Sequence, residues 1–196
     1  MLDTILGSKT KVRILRTMVA NDREYWLSEL SRKTGLSTGA LYPALEGLAN
    51  TRVLKTRKAG RSWLYSLNGI HILIDEVRAL FTAERERPAE LARTFVTRMG
   101  KRGVRNIILF GSAVRGEYTE TSDIDLLIVH EGGEEDIRER VSADADRMLD
   151  ENDVLISLTC LTLTELRERL DRFDSFVLTV LNEGELLYGD VEWQRS

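Results

Sequence analysis

The residues best suited to chemistry are two aspartates and a Gly–Ser pair upstream of them. Gly111 and Ser112 end an apolar run, and ten residues later Asp123 and Asp125 open the next apolar run. Because side chains alternate along a strand, the two carboxylates are expected to point the same way, about 6–7 Å apart. Such a pair at a sheet edge repels and loses hydration unless a cation bridges it. The pair therefore predicts a site for Mg²⁺ or Mn²⁺.

The chemistry that this arrangement predicts is nucleotidyl transfer. Mg²⁺ prefers carboxylate oxygens and usually completes its shell with water and substrate phosphates. A glycine next to a small hydroxyl residue lets backbone N–H groups and a side-chain oxygen approach a triphosphate closely. Metal ions there would activate an attacking hydroxyl and neutralise the pyrophosphate that leaves. A nucleoside triphosphate is therefore the expected substrate.

The segment LFGSAVRGEYTETSDIDLLIV, residues 109–129, resembles the polymerase-β-like nucleotidyltransferase superfamily. It is most similar to the minimal nucleotidyltransferases, whose signature is G-S, ten residues, then D-x-D. The resemblance covers about residues 88–190 and implies transfer of AMP from ATP, with Gly111 and Ser112 at the nucleotide. It also implies that the guanidinium of Arg115 holds phosphates. The alternative is a surface arginine that pairs with Glu117 or Glu120.

The family also uses a third carboxylate, on the strand after the intervening helix, and Asp153 is the candidate. A right-handed crossover would bring the start of this strand beside Asp123. In the family this acid usually lies further into the strand, where this chain has Leu155 and Ser157. Asp153 is therefore expected either as the third catalytic and metal-binding carboxylate or as a solvated residue at the strand entry.

Predicted strands and helices alternate along residues 88–196 and would position these residues. This alternation predicts an α/β domain with a mixed sheet. Cys160 lies in an apolar run and is expected in the core. His71 and His130 are far apart in the sequence, with no Cys or His at ligand spacing, so the sequence does not predict a zinc site. The predicted strands are VRNIILFGS, SDIDLLIVH and DVLISLTCLT, the predicted helices are EEDIRERVSADADRMLD, ELRERL and SFVLTVLNEG, and GELLYG is a short tail.

Residues 1–70 have the order helix, short helix, turn, helix, hairpin, which is typical of a winged helix-turn-helix domain. The run GALYPALEGLANTRVLKT resembles PadR-like regulators and is compatible with ArsR-like ones. A linking helix is predicted over residues 71–87, and Pro88 is expected to start a new helix. A regulator of this kind is expected to form a homodimer. An apolar stripe on the linking helix is either the dimer interface or packs on the protein's own wing: Leu73, Val77, Leu80 and Phe81.

The winged-helix resemblance implies binding to double-stranded DNA. The helix from Thr38 would enter the major groove through its N-terminal end, where Thr38 and Tyr42 meet the bases. Arg57, Lys58 and Arg61 on the wing suit phosphates. The alternative is a winged helix used for protein contacts, with these basic residues merely solvated.

Charge is divided unevenly between the two parts of the chain. Residues 1–70 carry twelve Lys and Arg against five Asp and Glu, whereas residues 71–196 carry sixteen against twenty-seven. The basic part suits a polyanionic partner. One cysteine cannot form an internal disulfide and suits a reducing cytosol. No apolar run approaches the roughly 18–20 residues that span a bilayer, and the N-terminus lacks a signal-peptide layout. A cytoplasmic protein without membrane insertion is expected.

Three hypotheses follow from these motifs. The first is a metal-dependent nucleotidyltransferase that its winged helix directs to DNA. The second is a transcriptional regulator whose nucleotidyltransferase-like domain binds nucleotide without turnover. The third is an antitoxin-type adenylyltransferase that transfers AMP to a partner protein and represses its own promoter. Asp153 separates the first from the second, since a missing third acid weakens metal binding.

Overall fold

The structure is a computed structural model that describes residues 5–116, 118, 122–131 and 134–190, with only the backbone described at residues 134–136. The chain divides into two compact units, the first ending at Glu84 and the second beginning at Arg85. Within the described residues, no helix is both long and apolar enough to cross a membrane.

The first unit is a helix-turn-helix followed by a β-hairpin wing. Gly35, with φ of 68°, ends one helix in the left-handed conformation, and the Ser37 hydroxyl accepts a hydrogen bond from the Ala40 N–H at 3.2 Å to start the next. The three strands form an antiparallel sheet in the order β1-β3-β2. The elements are α1 (Lys9–Ala20), β1 (Tyr25–Trp26), α2 (Leu27–Thr34), α3 (Thr38–Asn50), β2 (Leu54–Ala59) and β3 (Ser62–Leu67).

The predicted interruption at Pro88 is wrong, because helix α4 (Ile74–Arg98) runs through it. A proline inside a helix removes one backbone hydrogen bond. Buried side chains on both sides compensate: Val77 and Phe81 lie in the core of the first unit, and Phe95 lies in the core of the second. Val77 and Phe81 thus pack within their own unit, while Leu80 on the same predicted stripe is 51% exposed.

The second unit contains a mixed four-stranded sheet in the order β6-β5-β4-β7. Strands β5 and β6 are parallel, and the other two pairs are antiparallel. The predicted GELLYG tail is in fact the edge strand β7, which pairs with β4. The elements are β4 (Val104–Phe110), α5 (Ser112–Arg115), β5 (Ile124–His130), α6 (Glu134–Asn152), β6 (Ile156–Thr162), α7 (Leu163–Asp171), α8 (Ser175–Glu183) and β7 (Glu185–Tyr188).

Both faces of this mixed sheet are covered. Leu126 and Ile128 face a core that α4 and α6 complete, and the predicted core residue Cys160 belongs to it. Leu127 and Val129 face the opposite way, toward a smaller core with α7 and α8. This two-sided burial explains the unbroken apolar runs of the central strands. The predicted fold class, an α/β domain with a mixed sheet after a winged helix-turn-helix, is confirmed.

Candidate functional site

The two signature aspartates lie where strand β5 begins. Asp125 is the second residue of β5 and pairs with Phe110, the last residue of β4. By alternation it shares the face of Leu127, whereas Ile124 and Leu126 point into the opposite core, as predicted. Asp123 directly precedes the strand and is partly exposed, as Asp125 is. The end of β4 and the start of β5 thus bring the carboxylates beside the Gly–Ser turn.

Asp125 lies in an environment that disfavours its charge. Burial raises the pKa of its carboxyl, and the negative charge of Asp123 raises this pKa further. The charge of Arg115 and a hydrogen bond from the Ser157 hydroxyl act in the opposite direction. Two carboxylates this close cannot both ionise cheaply. A bound cation would relieve both the desolvation and the repulsion.

Gly111 fits against the Asp125 carboxylate in a way that no other residue would. Its φ of 75° and ψ of −148° lie in a region that L side chains rarely adopt. A Cβ added to Gly111 would lie 3.2 Å from the Asp125 Cγ and would overlap the Oδ2 oxygen. The glycine therefore lets the backbone lie in contact with the Asp125 carboxylate.

Ser112 and Arg115 lie on the one-turn helix α5 that follows Gly111. The Arg115 guanidinium is about half exposed, and its Nη1 lies 3.8 Å from the Glu183 Oε2. Its charge also reaches Asp125, whose pKa it lowers. Glu117 and Glu120, the predicted surface partners of Arg115, lie outside the described residues. The structure thus brings the predicted phosphate ligand Arg115 to the same site as the aspartates.

Asp153 is placed differently from the other predicted site residues. It follows helix α6, donates its backbone N–H to the Leu149 carbonyl, and is exposed with a φ of 54°. Among the described residues, no group of three His, Cys, Asp or Glu side chains could hold a metal ion. The structure therefore does not bring Asp153 into a three-carboxylate site with Asp123 and Asp125.

Two further residues contact this site and were not predicted to act there. Ser157 pairs directly with Asp125 across the parallel β5–β6 register and donates its hydroxyl to it. Tyr118 packs partly buried on the core, and burial together with the Asp123 charge raises the pKa of its phenol. The sequence offered a signal only for Ser157, which occupies one of the two strand positions where the family places its third acid.

The residues present fit a divalent cation of the Mg²⁺ type. The donor set consists of carboxylate oxygens, which Mg²⁺ and Mn²⁺ prefer. The strongest structural sign is Asp125 itself, a desolvated carboxylate beside a second carboxylate, because a cation would offset both penalties. With two protein ligands, water and substrate phosphates would supply the remaining positions.

The predicted DNA-binding residues lie together on the first unit. Thr38 opens helix α3, and Tyr42, one turn later, is 54% exposed. Lys58 and Arg61 lie exposed near the turn between β2 and β3. Arg57 is exposed too, but Glu24 binds it through two hydrogen bonds, one of them 3.0 Å from Nε to Oε1. Part of the wing's positive charge is therefore neutralised.

The histidines have separate structural surroundings. His71 accepts a hydrogen bond from the Leu73 N–H at 3.1 Å, just before helix α4. His130 is fully buried at the end of β5, and within the described part of the chain neither ring nitrogen has a hydrogen-bond partner. Among the described residues, neither histidine belongs to a group of three His, Cys, Asp or Glu side chains that could hold a metal ion.

Comparison with known proteins gives a family match, a sequence relative and several structural similarities. Residues 90–185 match the family model described as "Nucleotidyltransferase domain". The chain is 36% identical over 90 residues to "Putative protein adenylyltransferase MJ0604" of Methanocaldococcus jannaschii, covering 43% of this chain and 79% of that protein.

The structural similarities are weaker, and two of them cover different parts of the fold. Reduced HlyU from Vibrio cholerae is 27% identical with a TM-score of 0.36, over 44% of this chain and 82% of its own. A toxin-antitoxin structure with AMP-PNP is 23% identical with a TM-score of 0.36, over 57% of this chain and 77% of its own. TM-scores this low define no function.

Proposed function

The chain belongs to the nucleotidyltransferase domain family, and from this premise we propose that it transfers AMP from ATP to a hydroxyl of a protein acceptor. We further propose that its winged helix binds double-stranded DNA. The observation that carries the transfer is the contact of Gly111 with Asp125 beside Asp123, at the adjoining ends of β4 and β5. The relative that is 36% identical over 90 residues is named a putative protein adenylyltransferase, and this name supports a protein as the acceptor.

Each residue of this site has a separate proposed role. Gly111 has no side chain to keep phosphate oxygens away from the backbone N–H groups of the turn, and the Ser112 hydroxyl can donate to them. Arg115 offers a guanidinium fork to the triphosphate. Asp123 and Asp125 would hold Mg²⁺ or Mn²⁺, which when bound neutralises phosphate charge and polarises the phosphoryl group. In the transfer, the acceptor oxygen bonds to the α-phosphorus, the bond to the bridging oxygen breaks, and pyrophosphate and a proton are released.

Ser157 affects how well the site can bind a metal ion and catalyse the transfer. It donates a hydrogen bond to Asp125, which orients that carboxylate and favours its ionised form. It brings no negative charge, so the metal would have two carboxylates rather than three. This donor set favours weak metal binding alone and stronger binding with ATP, because the triphosphate supplies the missing ligands.

The amino-terminal unit supports a link to transcription through its charge and its shape. Thr38 and Tyr42 lie at the start of the helix expected in the major groove, and Lys58 and Arg61 lie at the wing. Such an arrangement supports phosphate contacts by the wing and base contacts by the helix. The acceptor and the DNA are thus proposed as separate partners of separate units.

Incubation of the full chain with α-labelled ATP and Mg²⁺, with and without cell lysate, tests the transfer. We expect label on a protein in the lysate or on the chain itself, lost in Asp125→Asn and kept in Asp146→Asn, an exposed aspartate on α6. Calorimetry of ATP with and without Mg²⁺ is the companion measurement. Metal-dependent ATP binding without any labelled acceptor would refute the enzyme and leave a nucleotide-binding regulator.

A further inference from the structure

A groove of about 560 Å³ lies on the first unit between the start of α3 and strand β3. Its walls carry three large aromatic side chains that are unusually accessible: Trp26 is 40%, Tyr42 is 54% and Trp63 is 45% exposed. Tyr65, which also lines it, is buried. Aromatic surface grouped in one concave site and left in contact with water marks a binding site more often than scattered apolar residues do.

The polar groups of the groove are cationic and neutral. Arg61 is the one charged residue among its lining side chains, and within the described residues it forms no ion pair. By contrast, the neighbouring wing cation Arg57 is paired with Glu24. Ser28, Thr38 and Ser62 add hydroxyls to the lining, and no carboxylate lines the groove. The groove therefore suits a planar ring that carries a negative group.

We propose that this groove binds one unpaired nucleotide, its base stacked on the exposed tryptophans and its phosphate at Arg61. Aromatic side chains along a positive groove are how proteins bind unpaired bases, since every base presents a flat face. A duplex cannot use the site in this way, because its bases stack on each other and expose only their edges. A volume of this size accommodates a small ligand.

The groove overlaps the proposed duplex interface. Thr38, Tyr42 and Arg61 line it and are also among the residues expected to contact double-stranded DNA. One side chain cannot serve both ligands at once. The bound nucleotide and the duplex therefore exclude each other, and the nucleotide acts as a regulator of DNA binding. The nucleotide itself is either free or an unpaired residue of a single strand.

The test uses the full chain in EDTA, so that no metal-dependent nucleotide binding at Asp123 and Asp125 contributes. AMP and a labelled single-stranded (dT)12 are titrated separately, with tryptophan fluorescence and anisotropy as readouts. We expect saturable quenching by at least one probe. Because the base loses a stacking partner, Trp63→Ala should weaken binding by at least about fivefold. Quenching by AMP identifies a free nucleotide, and quenching by (dT)12 alone identifies an unpaired base of a strand.

Two matched comparisons tie the signal to the groove. The double variant Trp26→Phe, Trp63→Phe keeps stacking rings, so it should bind (dT)12 or AMP but lose the quenching. Arg61→Ala should weaken binding more than Lys55→Ala, which removes a wing cation outside the groove lining. Circular dichroism checks that Trp63→Ala folds. If it does not, Tyr42→Ala, which lies at an exposed helical position, provides the same test of stacking.

Two results would overturn the proposal. One is the absence of saturable binding of both probes up to about 1 mM, which corresponds to less than about 4 kcal/mol of affinity. The other is binding that Tyr42→Ala and Trp63→Ala leave unchanged. Neither result bears on the transfer reaction, whose site lies on the second unit.

Discussion

Gly111 and Asp125 lie so close together that position 111 has no room for a Cβ atom. The contact follows from strand register, since Asp125 pairs with Phe110 and the chain turns immediately afterwards at Gly111. The turn uses a φ of 75°, which a glycine adopts at little cost. The glycine of the signature is thus required by the second aspartate of the same signature, thirteen intervening residues along the chain.

Gly111→Ala should reduce transfer by at least about a hundredfold, roughly 2.7 kcal/mol of barrier, because the added methyl pushes the Asp125 carboxylate out of place. Gly116→Ala is the matched control, since Gly116 also has a positive φ of 68° but meets nothing closer than 3.9 Å. Both variants carry backbone strain, which is smaller at Gly116 because its φ of 68° and ψ of 26° lie in the ordinary left-handed region, and only Gly111→Ala also carries the clash. Initial rates of label transfer measure the difference. Equal rates for the two variants would mean that the clash with Asp125 does not limit transfer.

Asp125→Asn should make the metal-free chain more stable at pH 7. The folded-state pKa of Asp125 is raised, chiefly by burial and then by Asp123, so the protonated form is the favoured one in the fold. Its ionisation therefore opposes folding, increasingly as the pH rises above the unfolded pKa and through the folded pKa. The asparagine can still accept the Ser157 hydrogen bond. Urea unfolding in EDTA at pH 7 and near pH 3 measures the difference in the free energy of unfolding between Asp125→Asn and the wild type.

The stabilisation by Asp125→Asn should vanish near pH 3, where the aspartate is protonated in both states. Asp146→Asn is the control and should change stability little at either pH, because Asp146 is exposed. A variant that is less stable than the wild type at pH 7 in EDTA would show that the ionised carboxylate supports the fold.

Local patterns predicted the fold well where two signals agreed. Asp125 is the second residue of β5, and Ile124 and Leu126 on either side of it face the core, as alternation predicted, whereas Asp123 directly precedes the strand. The helix-turn-helix was readable because Gly35 and Ser37 are strong stop and start signals. Such signals are carried by a few neighbouring residues, so one sequence suffices to detect them.

The errors arose where tertiary contacts outweigh local preference. Pro88 is a helix breaker by itself, but the packing of Phe81 before it and Phe95 after it keeps α4 continuous. The tail that forms β7 is short, and its pairing with β4 cannot be seen locally. The hydrogen bond of Ser157 to Asp125 depends on parallel register, which spacing alone does not fix.

Asp153→Asn should change transfer by less than about threefold, since Asp153 is exposed after α6 rather than beside Asp125. Ser157→Ala should have the larger effect, because it removes the hydrogen bond that orients Asp125 and lowers its pKa. We expect a loss of roughly tenfold, about 1.4 kcal/mol. The kcat values of the two variants show whether position 153 or position 157 contributes more to transfer. A hundredfold loss in Asp153→Asn would restore this residue as the third carboxylate.

Binding of double-stranded DNA should depend steeply on salt through the wing cations. Each lysine or arginine at a phosphate releases counterions, so Lys58→Ala with Arg61→Ala should lower the slope of log K against log salt by about two. Arg57→Ala should lower it less, because Glu24 already pairs with this guanidinium. Asp123→Asn, on the other unit, should leave the slope unchanged. Anisotropy of a labelled promoter duplex across a salt series measures all four proteins. An unaltered slope in the double variant would mean that the wing serves protein contacts and does not lie on DNA.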